Sequence, residues 1–513
     1  MSDLMTLKEF QRQVETADFD EHAETLEKAI TRLQLQIGAI AGAALAGPAA
    51  ALLARSVAGL GGVSASTAAA REFDRMKEFL VKLYDGATAP HSFVDRSGNV
   101  IDCIPFDQLP TVKAAKKAGI TVSRQAPPPP NLNHPKESDI DPWTSAPRPT
   151  GLVGPLRQGL NDPFGNKIAN PPGGASFRRI SLARLVRSGT LDHFHHKTPS
   201  PVYNHLPAPP ILTAPSAAAP PPFSPVQPDP GNPHRYAACQ YGPFSGQSKG
   251  LISGLSSFLN VWSINPSPGG MTLSQQWLLS DVAGLGRQTI ESGWQIVPST
   301  YQTLDPILFV YFNPDNYGPR ATYTANPQGE GFVPFDKAQW MVGGSLGAGS
   351  VKGGNQLVVL MVWNRVPSPD DPNISDWWLY MGSSAADLSA VGHFPGAYYA
   401  EGLPAGSGIA SGADYAQFGG EVAPDATTQS LATGPMGSGF LPMSAAVNDN
   451  YRQAAFQMQL GLATTGTGSA TVNIPVQSLA TIQDNYDPTV YDIKYDTDAS
   501  WGTYFFFGGP GSP

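Results

Sequence analysis

From residue 234 to the end, the sequence predicts an all-β, antiparallel architecture, a sandwich or a barrel. Three observations carry this expectation. The segments L-V-V-L-M-V-W (Leu357 to Trp363), A-T-V-N-I-P-V (Ala470 to Val476) and T-Y-F-F-F (Thr503 to Phe507) are apolar, β-branched or aromatic, and of strand length. Gly, Pro, Asn and Asp punctuate the region at short intervals, with no helical segments alternating with strands. Charged residues are only 14% of the chain, whereas 54 Gly and 50 Pro stand well above average usage among 513 residues.

The earlier parts read differently. Residues 1–88 are a helical region: Thr6 to Leu35 is amphipathic, and Phe73, Met76, Leu80 and Leu83 recur at helical spacing. Ile37 to Ala54 is uncharged but rich in Ala and Gly and broken by Pro48. It fits a buried helical hairpin better than a membrane span. Residues 89–124 form a distinct unit, with a hairpin expected around D-R-S-G (Asp95 to Gly98). Residues 125–233 hold about half of all prolines and read as an extended, Pro-rich linker. Inside it, Phe177 to Leu191 is a basic island that suits a short helix, followed by His193, His195 and His196. Those histidines read as a solvated cationic loop or, on the sharper alternative, a metal site.

Charge and cysteine usage exclude several classes. The net charge of -9 is concentrated after Tyr236, where about 20 acidic residues face about 8 basic ones. Such a domain repels nucleic acid and anionic membranes and suits low pH, where carboxylates lose charge. The two cysteines, Cys103 and Cys239, cannot build a disulfide framework or a four-cysteine zinc site, and are expected to be unpaired thiols. The first 28 residues, mixed in charge, do not have the pattern of a secretory signal.

Elimination leaves carboxylates as the reactive groups. From Tyr236 onward there is one histidine, His393, in V-G-H-F-P, with no G-x-S-x-G elbow to accompany it. No P-loop or dinucleotide-binding fingerprint is present, and metal ligands are too few. Only four glutamates follow Tyr236, and two sit in apolar strand-like segments: Glu291 in Q-T-I-E-S-G-W-Q-I-V-P and Glu421 in Q-F-G-G-E-V-A-P. The residues alone allow two readings: structural carboxylates, each satisfied by hydrogen bonds, or a close pair sharing one proton, able to activate water and protonate a leaving group. Adjacent glycines would let a substrate backbone approach, and Trp277, Trp294, Trp377 and Trp378 could wall a cleft or fill the core.

The ordered set Q-Q-W, Q-T-I-E-S-G-W-Q-I-V-P, L-F-V-Y-F, G-F-V, V-G-G-S, D-W-W-L, V-G-H-F-P, F-G-G-E-V, M-G-S-G-F-L-P and D-A-S-W-G-T-Y-F-F-F-G-G-P-G resembles the neprosin family of glutamic peptidases. F-V-D-R-S-G-N-V-I-D-C-I-P-F-D-Q-L-P resembles the activation peptide of that family. The resemblance implies a β-sandwich of two antiparallel sheets; in this chain the helical region, which has no counterpart in that resemblance, and a mixed pro-segment precede it. It implies an acid-active endopeptidase cutting after proline, made as a zymogen, with Glu421 as base and Glu291 as its acid partner. Gln288, Trp294, Tyr311 and Trp378 are the expected substrate-binding neighbours. No cofactor or metal is expected. The expected partners are proline-containing peptides and the chain's own pro-region as intramolecular inhibitor, acting on a monomer outside the cytoplasm. The catalytic region lacks the cysteines of plant members, as in a bacterial-type member. The rival readings are a non-catalytic sandwich that binds carbohydrate or cell wall through exposed tryptophans, and an inactive homologue. A Glu291–Glu421 separation within about 7 Å, where one water touches both groups, favours hydrolysis.

Overall fold

The computed structural model describes residues 5–42, 64–95, 98–133, 173–195, 197, 234–242, 252–425, 432–464, 471–482 and 487–512. Helix α1 (Leu7–Thr16) starts at a capping box, in which Thr6 and Glu9 satisfy each other's backbone N–H groups. Helices α2 (Ala23–Gly42) and α3 (Ala65–Tyr84) follow, and the predicted stripe of α3 (Phe73, Met76, Leu80, Leu83) is buried. Among the described residues no helix is long and apolar enough to cross a membrane. Most of the Ile37–Ala54 stretch lies outside them.

The expected hairpin forms from β1 (His91–Val94) and β2 (Val100–Pro105), with Asp95 Oδ1 accepting from the Asn99 backbone at its turn. Helix α4 (Pro110–Lys117) opens with a proline, whose missing N–H has no partner to lose there. The stretch 125–233 is not linker throughout. Strand β3 (Gly174–Arg178) joins β2, and helices α5 (Leu182–Ser188) and α6 (Leu191–His195) pack behind it. Leu132–Asn133 adds a parallel edge to Thr471–Asn473 of the larger sheet. Residues from all six helices and from β2 and β3 share one apolar core, so the helical region and the hairpin unit are one N-terminal body. A buried bidentate pair ties it together: Arg179 Nε and Nη2 donate to Asp102 at 2.8 and 2.5 Å.

The C-terminal region is a two-sheet sandwich, as expected, whose strand pairs are antiparallel. Its strands are β4 (Arg235–Tyr241), β5 (Ile252–Val261), β6 (Gly269–Val282), β7 (Gly286–Ile296), β8 (Ile307–Asn313), β9 (Leu357–Pro367), β10 (Ser375–Gly382), β11 (Ser389–Phe394), β12 (Tyr415–Pro424), β13 (Ala455–Thr464), β14 (Leu479–Thr481), β15 (Asp492–Asp498) and β16 (Gly502–Gly509). One sheet runs β14-β4-β12-β6-β7-β8. The other is centred on β11-β10-β9-β5-β13, with β16 and β15 continuing from β13. Alternation along the strands supplies the core between them: Ile290, Trp294, Val310, Phe418 and Val422 from the first sheet meet Leu255, Val359, Met361, Trp363 and Leu460 from the second.

Removing one partner of the Arg179–Asp102 pair strands the other charge in the interior. Arg179→Ala is expected to cost the N-terminal body about 3–5 kcal/mol, read by urea unfolding. A loss below about 1 kcal/mol would show that the pair does not hold β2 to the chain after β3.

Candidate active site

Glu291, in β7, lies opposite Trp277 of β6 and Tyr311 of β8. Glu421, in β12, lies opposite Leu273 of β6 and Tyr236 of β4. Directly paired residues project from the same face of a sheet. Register therefore sets both glutamates, with Gln275 and Trp277, on the face turned away from the sandwich core. Their chain neighbours point the other way: Ile290 and Val422 are core, and Ser292 Oγ accepts from Trp363 Nε1 at 2.8 Å. The carboxylates look misplaced in apolar segments only because each strand alternates between a core face and this second face.

That face is covered. Glu291 and Glu421 are 0% and 1% exposed. Lys197, just beyond α6, reaches over the sheet, with its Nζ 2.6 Å from Glu291 Oε2 and 2.9 Å from Glu421 Oε2. The two oxygens are thus no more than about 5.5 Å apart, the two contacts laid end to end. Glu421 Oε2 also accepts from Gln275 Nε2 at 2.8 Å, and its Oε1 meets His234 Nδ1 at 2.5 Å. Glu291 Oε1 accepts from Thr289 Oγ1 (2.8 Å) and from the Tyr317 hydroxyl (3.0 Å). Among the described residues, the ion pairs between the N-terminal body and the sandwich are those of Lys197 alone. The ionic part of the docking therefore rests on one focused cation, beside hydrogen bonds such as Lys82 Nζ to the Pro327 carbonyl and the Thr121 backbone to Asp370 and the parallel pairing of Leu132–Asn133.

The electrostatics follow. Burial by itself pushes the Glu421 carboxyl up, but the Lys197 ammonium and His234 outweigh burial and hold it down, at about 2. Burial pulls the Lys197 ammonium down, and Glu291 and Glu421 more than offset that, so it is raised above its ordinary value. Tyr311 and Tyr317 are pushed well above the ordinary phenol range, first by burial and then by the Glu291 charge. They stay neutral hydroxyls beside the carboxylates.

Several expected positions lie elsewhere. Gln288 is a strut: its Nε2 donates to the Pro314 and Tyr399 carbonyls, and its Oε1 accepts from the Ile409 backbone. Trp294 is core, donating to the Asn260 carbonyl. Trp377 is also core, and Trp378 packs in the other sheet, stacked on His393 at 4.4 Å between centroids. Tyr311 does share the dyad's face, and Trp277 lies 5.7 Å from Lys197 Nζ. The glycines beside the glutamates serve packing, not an approaching substrate. A Cβ at Gly293 would meet the Ser274 carbonyl at 2.0 Å, and one at Gly419 the Ala237 carbonyl at 2.4 Å. His393 is neutral, with burial driving it down to about 3.

The solvated histidine loop is also corrected. His193 and His195 are buried, and His195 packs edge-on to Phe79 with Nδ1 3.1 Å from Thr322 Oγ1; His196 lies outside the described residues. No group of three or more potential metal ligands gathers among the described residues. Cys103 and Cys239 are buried thiols that are not joined to each other in a disulfide. The sequence reading missed Lys197, His234, Gln275, Thr289 and Tyr317. Thr289 carries a weak signal, two positions before Glu291 on the same strand face; Lys197 carries none, since its carboxylate partners are 94 and 224 positions away.

A carboxyl held below its unfolded value contributes stability above that value and loses it as pH falls toward the folded one. The melting temperature of the full-length chain is therefore expected to drop as pH falls from about 4.5 to about 2. Lys197→Met should lower it at neutral pH and shrink the acid drop. An acid drop of unchanged size in Lys197→Met would show that Lys197 does not set the titration.

Two solved structures similar to this chain are of scytalido-glutamic peptidase, one with a peptide based transition state analog and one with a transition state analog inhibitor. They are 8% and 7% identical, each over 54% of this chain and 98% of that chain, with a TM-score of 0.28 in both cases. Residues 268–510, which hold both Glu291 and Glu421, match the Neprosin family model. The part of the sandwich that sets the two carboxylates side by side, residues 268–510, is a Neprosin domain.

Proposed function

We propose that this chain is the latent precursor of a glutamic endopeptidase whose Glu291 and Glu421 together activate water. A peptidase is the kind of enzyme that the Neprosin domain supports. The finer reading rests on one observation: both carboxylates contact a single ammonium nitrogen, at 2.6 and 2.9 Å. The point held by Lys197 Nζ is therefore within hydrogen-bond reach of both groups, as a shared water must be. With Lys197 withdrawn, Glu421 keeps His234 and Gln275 but loses its strongest neutralising neighbour. Its carboxyl then rises toward the range in which one proton can be shared with Glu291.

In that state Glu421 takes a proton from water as the oxygen attacks the peptide carbonyl carbon, and Glu291 donates its proton to the carbonyl oxygen. Collapse of the tetrahedral intermediate breaks the C–N bond, and a proton passes to the leaving amine. The net change is addition of one water across one peptide bond, with no covalent enzyme intermediate.

The pro-region is proposed as its own first substrate. Segment 198–233, with thirteen prolines, is flanked by Lys197 and His234, and both flanking residues touch Glu421. A proline-rich stretch whose two ends meet at the dyad favours cleavage after proline and self-removal at low pH. The carbohydrate-binding alternative loses its basis, because all eight tryptophans among the described residues are buried.

At pH 3–4, wild type is expected to cut a proline-containing peptide, and Glu291→Gln and Glu421→Gln to lose at least about 100-fold in rate. Equal cleavage by all three would refute the dyad. Intact mass should show wild type trimmed within 198–233 and the Glu421→Gln chain untrimmed. Equal trimming with no other protease present would refute self-processing.

A further inference from the structure

Away from the dyad, three arginines of the N-terminal body gather where it meets the sandwich. Arg178 ends β3, and Arg184 and Arg187 lie on α5; the first two are 8% and 7% exposed. Among the described residues, no ion pair involves any of the three. Arg178 Nη1, Arg184 Nε and Arg187 Nε are buried with no hydrogen-bond partner. Two cavities, of about 60 and 50 Å³, share Arg184, Tyr301 and Tyr323 in their walls; Arg178 lines the first, and Arg187 and Arg32 the second. Each is several times the ~10–15 Å³ that a single water needs.

Ring faces satisfy only part of this charge. Arg178 lies 4.5 Å from the Tyr301 centroid, and Arg184 lies 5.3 Å from Tyr301 and 4.9 Å from Phe194. Stacking satisfies the face of a guanidinium and leaves its N–H edge to find an acceptor. Burial pulls the Arg178 guanidinium down to about 9, and the like charge of Arg184 adds to the effect. Arg178 Nη2 also donates to Asn99 Oδ1, and Arg184 hydrogen-bonds the Tyr301 side chain, but grouped, buried cations with no carboxylate in contact are costly unless an anion joins them.

We propose that these cavities bind a phosphate-class oxyanion, held by Arg178, Arg184 and Arg187, which bridges the N-terminal body to the sandwich. Guanidinium forks match such oxygens in geometry and charge. The walls come from both sides of the junction: the arginines from the N-terminal body, and Tyr301, Gln295 and Trp340 from the Neprosin domain. A bound anion would therefore stabilise the docked form. The proposal does not depend on which residues perform catalysis.

The test is calorimetric titration of the full-length chain at pH 7 with inorganic phosphate, sulfate and glycerol phosphate, against chloride at matched ionic strength, together with melting temperatures. One saturable site is expected, with a rise in melting temperature that chloride does not give. Arg187→Gln, at a half-buried position, and Arg178→Lys should each weaken it at least tenfold while far-UV spectra stay unchanged. Tighter binding of glycerol phosphate than of phosphate supports a phosphoryl group on a larger molecule as the source; the reverse supports the free ion. Absence of saturable binding, as when a carboxylate of this chain such as Glu137 or Asp229 fills the site, would overturn the proposal. So would equal binding by wild type and both variants.

Discussion

The structure depends on a charge problem solved at one nitrogen. Two carboxylates on adjacent regions of one sheet face cannot both stay ionised, buried and close without a cation. Lys197 supplies it from 94 and 224 positions earlier in the chain, at 2.6 and 2.9 Å. The contact neutralises the pair, docks the N-terminal body and occupies the point where a shared water would act. In the proposed function, latency and chemistry use the same atoms. Hydrogen bonds from Thr289, Tyr317, Gln275 and His234 also hold the carboxylates.

Much of the sandwich was legible because strand patterning is local. The apolar runs Leu357 to Trp363 and Thr503 to Phe507 are strands, and the stripe from Phe73 to Leu83 is a buried helix face. The two glutamates were legible as anomalies, and register explains them: a residue one position away from Ile290 or Val422 must leave the core. Features that depend on distant partners were not legible. Nothing around Lys197 announces a buried ammonium. The basic island before it reads as a short helix and the histidines after that island as a solvated loop, yet Arg184, His193 and His195 are buried.

Composition also misled in specific ways. Tryptophan in a short motif, as at Trp294 and Trp378, says only that a large flat side chain is buried somewhere. Glycine beside a reactive residue suggests substrate access, but Gly293 and Gly419 are small because neighbouring strands lie against them. High proline content from 125 to 233 hid β3 and α6, which with the expected short helix α5 complete the N-terminal body.

The most direct measurement is the pH dependence of hydrogen–deuterium exchange over residues 182–197 in two full-length variants that cannot self-process. One is Glu291→Gln; the other is Glu291→Gln with Glu421→Gln. The account predicts that the single variant is protected at neutral pH and loses protection as pH falls below about 4.5. The double variant, with no carboxylate left for Lys197, should be unprotected at every pH. An acid step of the same midpoint and size in both would contradict the account, because the group that releases the N-terminal body would then lie outside the glutamate pair.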